Sequence, residues 1–126
     1  RHPDQRFVLD HIAKPDIQSS TPDPEWAGNL AELAKRENVS CKISGMVTEV
    51  ASSIEWDADL LRPYFEVAWE AFGAERLMFG SDWPVCLLRS GYRHWVETVR
   101  SWTDSLSDSE QAAFWGETAA SCYGLR

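Results

Sequence analysis

The stretch RLMFGSDWP, residues 76–84, decides the fold prediction for this chain of 126 residues. An apolar run at residues 77–79 gives way at once to Ser81 and Asp82. Pro84 has no backbone N–H to donate, so it cannot continue a central strand. The pattern predicts a strand over residues 76–80 that ends in polar side chains.

Two similar strands are predicted upstream, over residues 6–10 and 39–43. Each is a short apolar run that gives way to polar residues. Their closing polar side chains are Asp10, His11, Lys42 and Ser44.

A helix is predicted after each strand. Asp23 can cap the first helix, with Pro24 at its first position, and Pro63 is expected to begin the second. Residues 107–110, Ser-Asp-Ser-Glu, form a capping-box pattern that opens a last helix. The predicted buried positions are Trp26, Leu30, Leu33 and Ala34; Tyr64, Val67, Ala68 and Phe72; Tyr92, Trp95, Val96, Val99 and Trp102; and Ala113, Phe114, Ala120 and Tyr123.

Alternating strands and helices predict an α/β fold with parallel strands and right-handed crossovers, in one domain over residues 1–126. Three parallel strands leave two open sheet edges, which parallel sheets normally avoid. Further strands are therefore expected from outside this sequence or from another chain. A complete (β/α)₈ barrel takes about 250 residues, roughly twice this length.

The composition excludes several function classes. The chain has 12 Lys and Arg against 20 Asp and Glu, a net charge of −8, which argues against binding to nucleic acid or to an anionic membrane. No apolar run approaches the roughly 20 residues of a membrane span, and no secretion signal is recognisable. A cytoplasmic location is expected, with the three cysteines as buried free thiols.

Reactive groups in parallel α/β folds collect beyond the carboxyl ends of the strands. Strand alternation predicts that His11 shares a face with Phe7 and Leu9, and that Asp82 has room beside Gly80 for a ligand or a crossing side chain. A histidine and an aspartate that converge there could hold a metal, polarise a carbonyl or move a proton.

Structural roles are open for the same residues. Asp82 could cap the turn that follows it, and His11 could be a hydrogen-bonded structural histidine. Lys42 could be a solvated strand residue and Trp83 a core residue.

Three blocks carry a resemblance to a known family: residues 7–15 (FVLDHIAKP), 41–45 (CKISG) and 76–85 (RLMFGSDWPV). Together they resemble the amidohydrolase-related metal-dependent hydrolases, in the branch of sugar lactonases. The resemblance implies the sixth, seventh and eighth strands of a (β/α)₈ barrel, so this chain would be the C-terminal part, with the N-terminal half as its partner.

The resemblance also implies roles for individual residues. His11 matches the strand-six histidine that binds substrate or metal. Asp82 matches the strand-eight aspartate that acts as general base and can contact a metal. Lys42, Ser81 and Trp83 fall in motif positions and are expected to contact substrate.

The implied reaction of the whole protein is the opening of a sugar lactone by water, which requires an ionised Asp82 and would be lost at low pH or in Asp82→Asn. One divalent metal, zinc, could take part, completed by residues outside this sequence. The family's first-strand HxH pair has no counterpart here, so this piece alone is expected to be inactive. Amide hydrolysis or decarboxylation on the same barrel, or a non-catalytic half-barrel, are the alternatives.

Overall fold

The computed structural model describes residues 2–125 and contains one parallel three-stranded sheet. Its strands are β1 (Phe7–Leu9), β2 (Val39–Ile43) and β3 (Leu77–Phe79), in that order across the sheet. The register pairs Leu9 with Cys41 and Ile43 with Phe79, so the three carboxyl ends lie at one edge. The predicted α/β class with parallel strands is confirmed.

Two strands are shorter than predicted. β1 ends at Leu9 because Asp10 already belongs to a tight turn, Asp10–Ala13. β3 covers Leu77–Phe79 alone, without the residue predicted at each end. Asp10 and His11 after β1, and Ser81 and Asp82 after β3, therefore lie on turns that leave the sheet, whereas Lys42 lies on β2 itself.

The helices are α1 (Pro24–Ala34), α2 (Ala58–Phe72), α3 (Tyr92–Thr103), α4 (Asp108–Ala112) and α5 (Thr118–Tyr123). The cap of α1 forms as predicted, since the Asp23 carboxylate accepts a hydrogen bond from the Glu25 N–H at 3.0 Å. The capping box between Ser107 and Glu110 is also present.

The predicted start of α2 at Pro63 is wrong. The Asp57 side chain accepts a hydrogen bond from the Leu60 N–H at 2.8 Å and starts the helix at Ala58, so Pro63 lies inside it. The expected last helix is also divided: a wider π-helical turn, Ala113–Glu117, separates α4 from α5.

The core lies between the helices and one face of the sheet. Val39, Cys41 and Ile43 of β2 point into it and are buried. The largest fully buried side chains there include Trp95, Tyr64, Phe114, Ile12 and Leu61.

Two predicted core aromatics are on the surface. Tyr92, the first residue of α3, is 52% exposed, and Tyr123, at the end of α5, is 51% exposed. Val67 and Val96 are half-buried. Both tyrosines stand at helix ends, where a periodic apolar pattern no longer guarantees contact with the core.

The opposite face of the sheet is mixed, since Val8 and the buried Met78 lie on it beside Ser40 and Lys42. Ser40 and Lys42 of β2 point to this side and are half-buried. α5 lies against it, with Cys122 Sγ 3.3 Å from Ser40 Oγ and the Tyr123 ring centroid 5.6 Å from Lys42 Nζ.

The three cysteines are free thiols; Cys41 and Cys86 are buried as expected, whereas Cys122 is half-buried. Over the part of the chain that the structure describes, no helix has the length and apolar character required to cross a membrane.

Candidate active site

The backbone adopts a left-handed conformation immediately after β1. His11, Ile12, Ala13 and Lys14 have φ angles of 50°, 44°, 59° and 49°. Each non-glycine residue in this region costs roughly 1–2 kcal/mol, so such a run persists only where its surroundings hold it. Ile12 is fully buried and its carbonyl accepts a hydrogen bond from Trp26 Nε1–H at 2.9 Å. The buried Ile12 thus fixes the turn that presents His11 at the sheet edge.

The turn after β2 holds one side of the His11 ring. Gly45 has a φ of +64°, and a Cβ at this position would lie 2.8 Å from both Cγ and Nδ1 of His11. Next to it, the Oγ of the fully buried Ser44 lies 2.7 Å from His11 Nδ1. The imidazole is therefore packed against backbone and hydrogen-bonded on its Nδ1 side.

Two carboxylates flank the other ring nitrogen. His11 Nε2 lies 3.2 Å from Asp10 Oδ2 and 3.6 Å from Asp82 Oδ1. The Asp82 side chain is 14% exposed, whereas that of Asp10 is 57% exposed. Because two negative groups face Nε2, this position favours a hydrogen or a cation. The Ser44 hydroxyl can donate or accept, so it satisfies Nδ1 in either case.

Asp82 directs its carboxylate at His11 from the turn after β3. Its φ is +54°, a conformation that aspartate tolerates better than most residues. The turn is capped by Ser81, whose Oγ accepts a hydrogen bond from the Trp83 N–H at 3.2 Å. Trp95 Nε1–H also donates to the Gly80 carbonyl at 2.9 Å. Within residues 2–125, the Asp82 side chain caps no backbone group, so the capping role is not the one it has here.

Lys42 lies on the face of the sheet opposite the core and reaches the same cluster. Its Nζ lies 3.3 Å from Asp10 Oδ1 and over the Tyr123 ring. A Cβ at Gly80 would lie 2.8 Å from Lys42 Cδ, so the space beside Gly80 is filled by a crossing side chain, one of the two predicted uses. Burial disfavours the ammonium form, but the Tyr123 hydroxyl and the Asp10 carboxylate outweigh it, and the pKa of Lys42 lies above its ordinary value.

The structure brings three of the sequence-predicted residues together: His11, Lys42 and Asp82. The predicted face shared by His11, Phe7 and Leu9 is wrong, because β1 has ended before His11. The imidazole and the carboxylate nevertheless converge, since both turns leave the sheet at the same edge.

The remaining two predicted residues lie at the margin. Ser81 is half-buried and caps its own turn, while Trp83 is 63% exposed, which contradicts the core alternative for that tryptophan.

Sequence reasoning missed Gly45 and Tyr123 as residues of the site, and it did not foresee the interaction of Asp10 and Ser44 with His11. Ser44 and Gly45 follow a strand, which is a usable signal. Tyr123 comes from the far end of the chain, and nothing in its local sequence distinguishes it from a core residue.

Comparison with known proteins places this arrangement in a family. The family profile described as amidohydrolase matches residues 1–125. The chain belongs to the amidohydrolase family. An L-fucono-1,5-lactonase of Burkholderia multivorans (strain ATCC 17616 / 249) is 42% identical, over 99% of this chain and 45% of that protein. An L-fucono-1,5-lactonase of Burkholderia ambifaria is 38% identical, over 99% of this chain and 43% of that protein.

A solved structure agrees with the fold. A crystal structure of a Burkholderia multivorans amidohydrolase with bound zinc superposes with a TM-score of 0.92 at 43% identity, covering 100% of this chain and 46% of that one. The chain thus spans less than half the length of these relatives, and its fold is part of a TIM-barrel amidohydrolase.

The residues present fit part of a zinc site. Between His2 and Leu125, no group of three or more histidine, cysteine, aspartate or glutamate side chains is arranged to hold a metal ion. His11 Nε2 and Asp82 Oδ1 lie 3.6 Å apart and are the nitrogen and carboxylate donors that zinc accepts, typically at about 2.0–2.2 Å. They could serve as two ligands of one ion, which would need further ligands from outside the described residues.

Proposed function

We propose that the protein opens the ring ester of a sugar lactone by water attack, with Asp82 as general base. The observation that carries the proposal is the approach of His11 Nε2 and Asp82 Oδ1 to 3.6 Å at the carboxyl edge of the parallel sheet. The 42% identity to an L-fucono-1,5-lactonase supports a lactone as the substrate class.

Asp82 activates the nucleophile in this mechanism. Its carboxylate takes a proton from a water molecule as the water oxygen attacks the lactone carbonyl carbon. The tetrahedral intermediate then collapses, the bond between that carbon and the ring oxygen breaks, and the ring oxygen receives the proton that Asp82 took from the water. The product is the open hydroxy acid. Only 14% of the Asp82 side chain is exposed, which limits its contact with bulk water.

His11 acts on the substrate carbonyl in this mechanism. Its Nε2 faces the space beside Asp82, and Ser44 fixes its Nδ1. A zinc ion bound by His11 and Asp82 would polarise the carbonyl of the substrate. Without a metal, a hydrogen on His11 Nε2 would donate to the same oxygen.

Trp83 and Ser81 are proposed to contact the substrate at the rim. The Trp83 ring is 63% exposed and offers an apolar face to a sugar ring. Ser81 holds the Trp83 backbone through its Oγ. The resemblance also implied a substrate contact for Lys42, but its ammonium group pairs with Asp10.

We also propose that the three strands are the sixth, seventh and eighth of a (β/α)₈ barrel completed by an N-terminal half. Within the described residues, β1 and β3 each pair only with β2, which leaves both edges of the sheet open, including that of β1. Phe7 at this edge is 45% exposed and borders a cleft of about 760 Å³ that Val8, Leu9 and Leu33 also line. An additional strand and helix would cover this surface.

The test uses the protein in its full natural length. Turnover is measured with L-fucono-1,5-lactone, with an amide and with an aromatic carboxylic acid, by titrating released or consumed acid. Ring opening of the lactone alone is expected. Preferential amide hydrolysis or decarboxylation would contradict the substrate class, and folded protein without turnover on any of the three would support a non-catalytic half-barrel.

Zinc is tested separately in the same assay. If His11 and Asp82 hold a metal, chelation with excess EDTA abolishes turnover and added Zn²⁺ restores it. Turnover that is insensitive to EDTA in protein shown by elemental measurement to contain no metal would contradict the metal role while leaving the general-base role intact.

A further inference from the structure

A continuous line of contacts runs from the C-terminal helix to the candidate catalytic histidine. The Tyr123 ring faces Lys42 Nζ at 5.6 Å, and Lys42 Nζ pairs with Asp10 Oδ1 at 3.3 Å. The other oxygen of the same carboxylate, Asp10 Oδ2, lies 3.2 Å from His11 Nε2. Asp10 is thus held at one oxygen and faces His11 with the other.

We propose that Lys42 and Tyr123 are positioning residues that fix the Asp10 carboxylate, which in turn orients the Nε2 side of His11. The proposal rests on the proposed lactonase function and deepens it. It replaces direct substrate binding as the role of Lys42.

The contacts of Lys42 argue for this role over substrate binding. The ammonium group is already committed to Asp10, and its side chain is only 25% exposed. The backbone at Gly80 encloses its methylene groups, since a Cβ there would approach Lys42 Cδ to 2.8 Å. A lysine whose ammonium group is paired and whose methylene groups pack against the backbone is poorly placed to bind substrate.

Asp10 is the residue that needs such support. Its side chain is 57% exposed, so packing does not fix its rotamer. It also lies beside Asp82, and two carboxylates at one imidazole repel each other unless a cation balances them. Lys42 supplies that charge on the side of Asp10 away from His11.

Tyr123 limits the freedom of the lysine. An ammonium over an aromatic ring within about 6 Å is attracted to the ring face. The Tyr123 hydroxyl also helps to keep Lys42 charged, since it contributes to raising the pKa of Lys42 above its ordinary value. The end of α5 is therefore linked through the Lys42 side chain to Asp10, which follows β1.

The experiment uses full-length protein with four test substitutions and one control substitution. Lys42→Met removes the charge at nearly constant length, and Lys42→Arg restores a charge. Tyr123→Phe keeps the ring and Tyr123→Leu removes it. Tyr92→Leu is the matched control, because Tyr92 is 52% exposed at a helix end and Tyr123 is 51% exposed.

Two readouts are taken for each protein. The first is the set of ring nitrogen resonances of His11 in protein with isotope-labelled histidine, assigned through a His11→Gln variant. The second is the separation of kcat from KM for lactone opening. Circular dichroism verifies folding, and Tyr123→Leu decides the question if Lys42→Met does not fold.

We expect Lys42→Met to move the His11 resonances and to lower kcat by about 10-fold or more with little change in KM, and Lys42→Arg to recover most of both. Tyr123→Leu should act in the same direction, whereas Tyr123→Phe should have a smaller effect and Tyr92→Leu none.

Unchanged His11 resonances in both Lys42→Met and Tyr123→Leu would overturn the proposal. So would a raised KM with unchanged kcat in Lys42→Met, which is the result for a substrate-binding lysine. If the unsubstituted protein opens no lactone, the proposed function fails, while the resonances still decide whether Lys42 and Tyr123 position Asp10 and His11.

Discussion

The His11 ring lies so close to the backbone of Gly45 that a side chain on residue 45 would displace it. A Cβ on residue 45 would come within 2.8 Å of the ring, and its φ of +64° already favours glycine. Gly45→Ala is therefore expected to destabilise the protein by at least the roughly 1–2 kcal/mol of a left-handed alanine and to displace His11. Denaturant unfolding and lactone turnover of the full-length protein check the two effects.

Two other glycines separate the effect of backbone strain from the effect of displacing His11. Gly73 has a φ of +72° but open space around its Cβ position, so Gly73→Ala should lose stability and keep turnover per folded molecule. Gly28, inside α1 and also in open space, should tolerate alanine with a small gain. Equal loss of turnover in Gly45→Ala and Gly73→Ala would show that contact with His11 is unimportant.

Ser44 should matter for His11 more than for folding. Ser44→Ala removes the partner of His11 Nδ1 at 2.7 Å, and the loss of one hydrogen bond of this kind is worth about 1 kcal/mol of stability. Turnover should fall further than stability predicts, because the ring loses the group that fixes it. Ser90→Ala is the control, since Ser90 is also buried and, among the residues that the structure describes, its hydroxyl donates to the Gly91 carbonyl alone. Equal turnover in the two variants would contradict the assignment.

Cys41 should make the protein sensitive to alkali. Burial raises the pKa of the Cys41 thiol from 9.0 to about 12. Below about pH 9 the thiol is protonated in both states, and its contribution to stability is complete. Between about pH 9 and 12 the unfolded chain releases this proton and the folded chain keeps it, so the free energy of unfolding falls as the pH rises.

The measurement is the free energy of unfolding of wild type and Cys41→Ala across that pH range. The difference between the two proteins should shrink as the pH rises, because the alanine variant lacks the alkaline loss. Cys122→Ala is the control and should follow the wild type, since Cys122 is only half-buried. A pH-independent difference would contradict the account for Cys41.

The sequence was sufficient to predict the parallel α/β fold and the edge at which His11, Lys42 and Asp82 meet. Short apolar runs followed by polar residues determine where parallel strands end, and all such ends share one edge. The approach of Asp82 to His11 follows from that topology, even though the face predicted for His11 by strand alternation was wrong.

The features that could not be predicted from the sequence depend on the conformation of turns and on contacts between residues far apart in the chain. The left-handed run from His11 to Lys14 is held by the burial of Ile12 and a hydrogen bond from Trp26, neither of which has a local signal. Pro63 was expected to begin α2 because proline is common at the first position of a helix. The helix begins at Ala58 instead, where Asp57 caps it. Tyr123 follows an apolar pattern, yet its ring lies beside the Lys42 ammonium on the face of the sheet opposite the core.

The most direct test of the central claim is the turnover of L-fucono-1,5-lactone by full-length Asp82→Asn protein. Asparagine keeps the size of the side chain but cannot take the proton from water, so kcat should fall by about 10²–10⁴ with the fold intact. Asp59→Asn, on a fully solvated carboxylate, should retain wild-type turnover. An Asp82→Asn protein that opens the lactone within about threefold of the wild-type rate would contradict Asp82 as the general base.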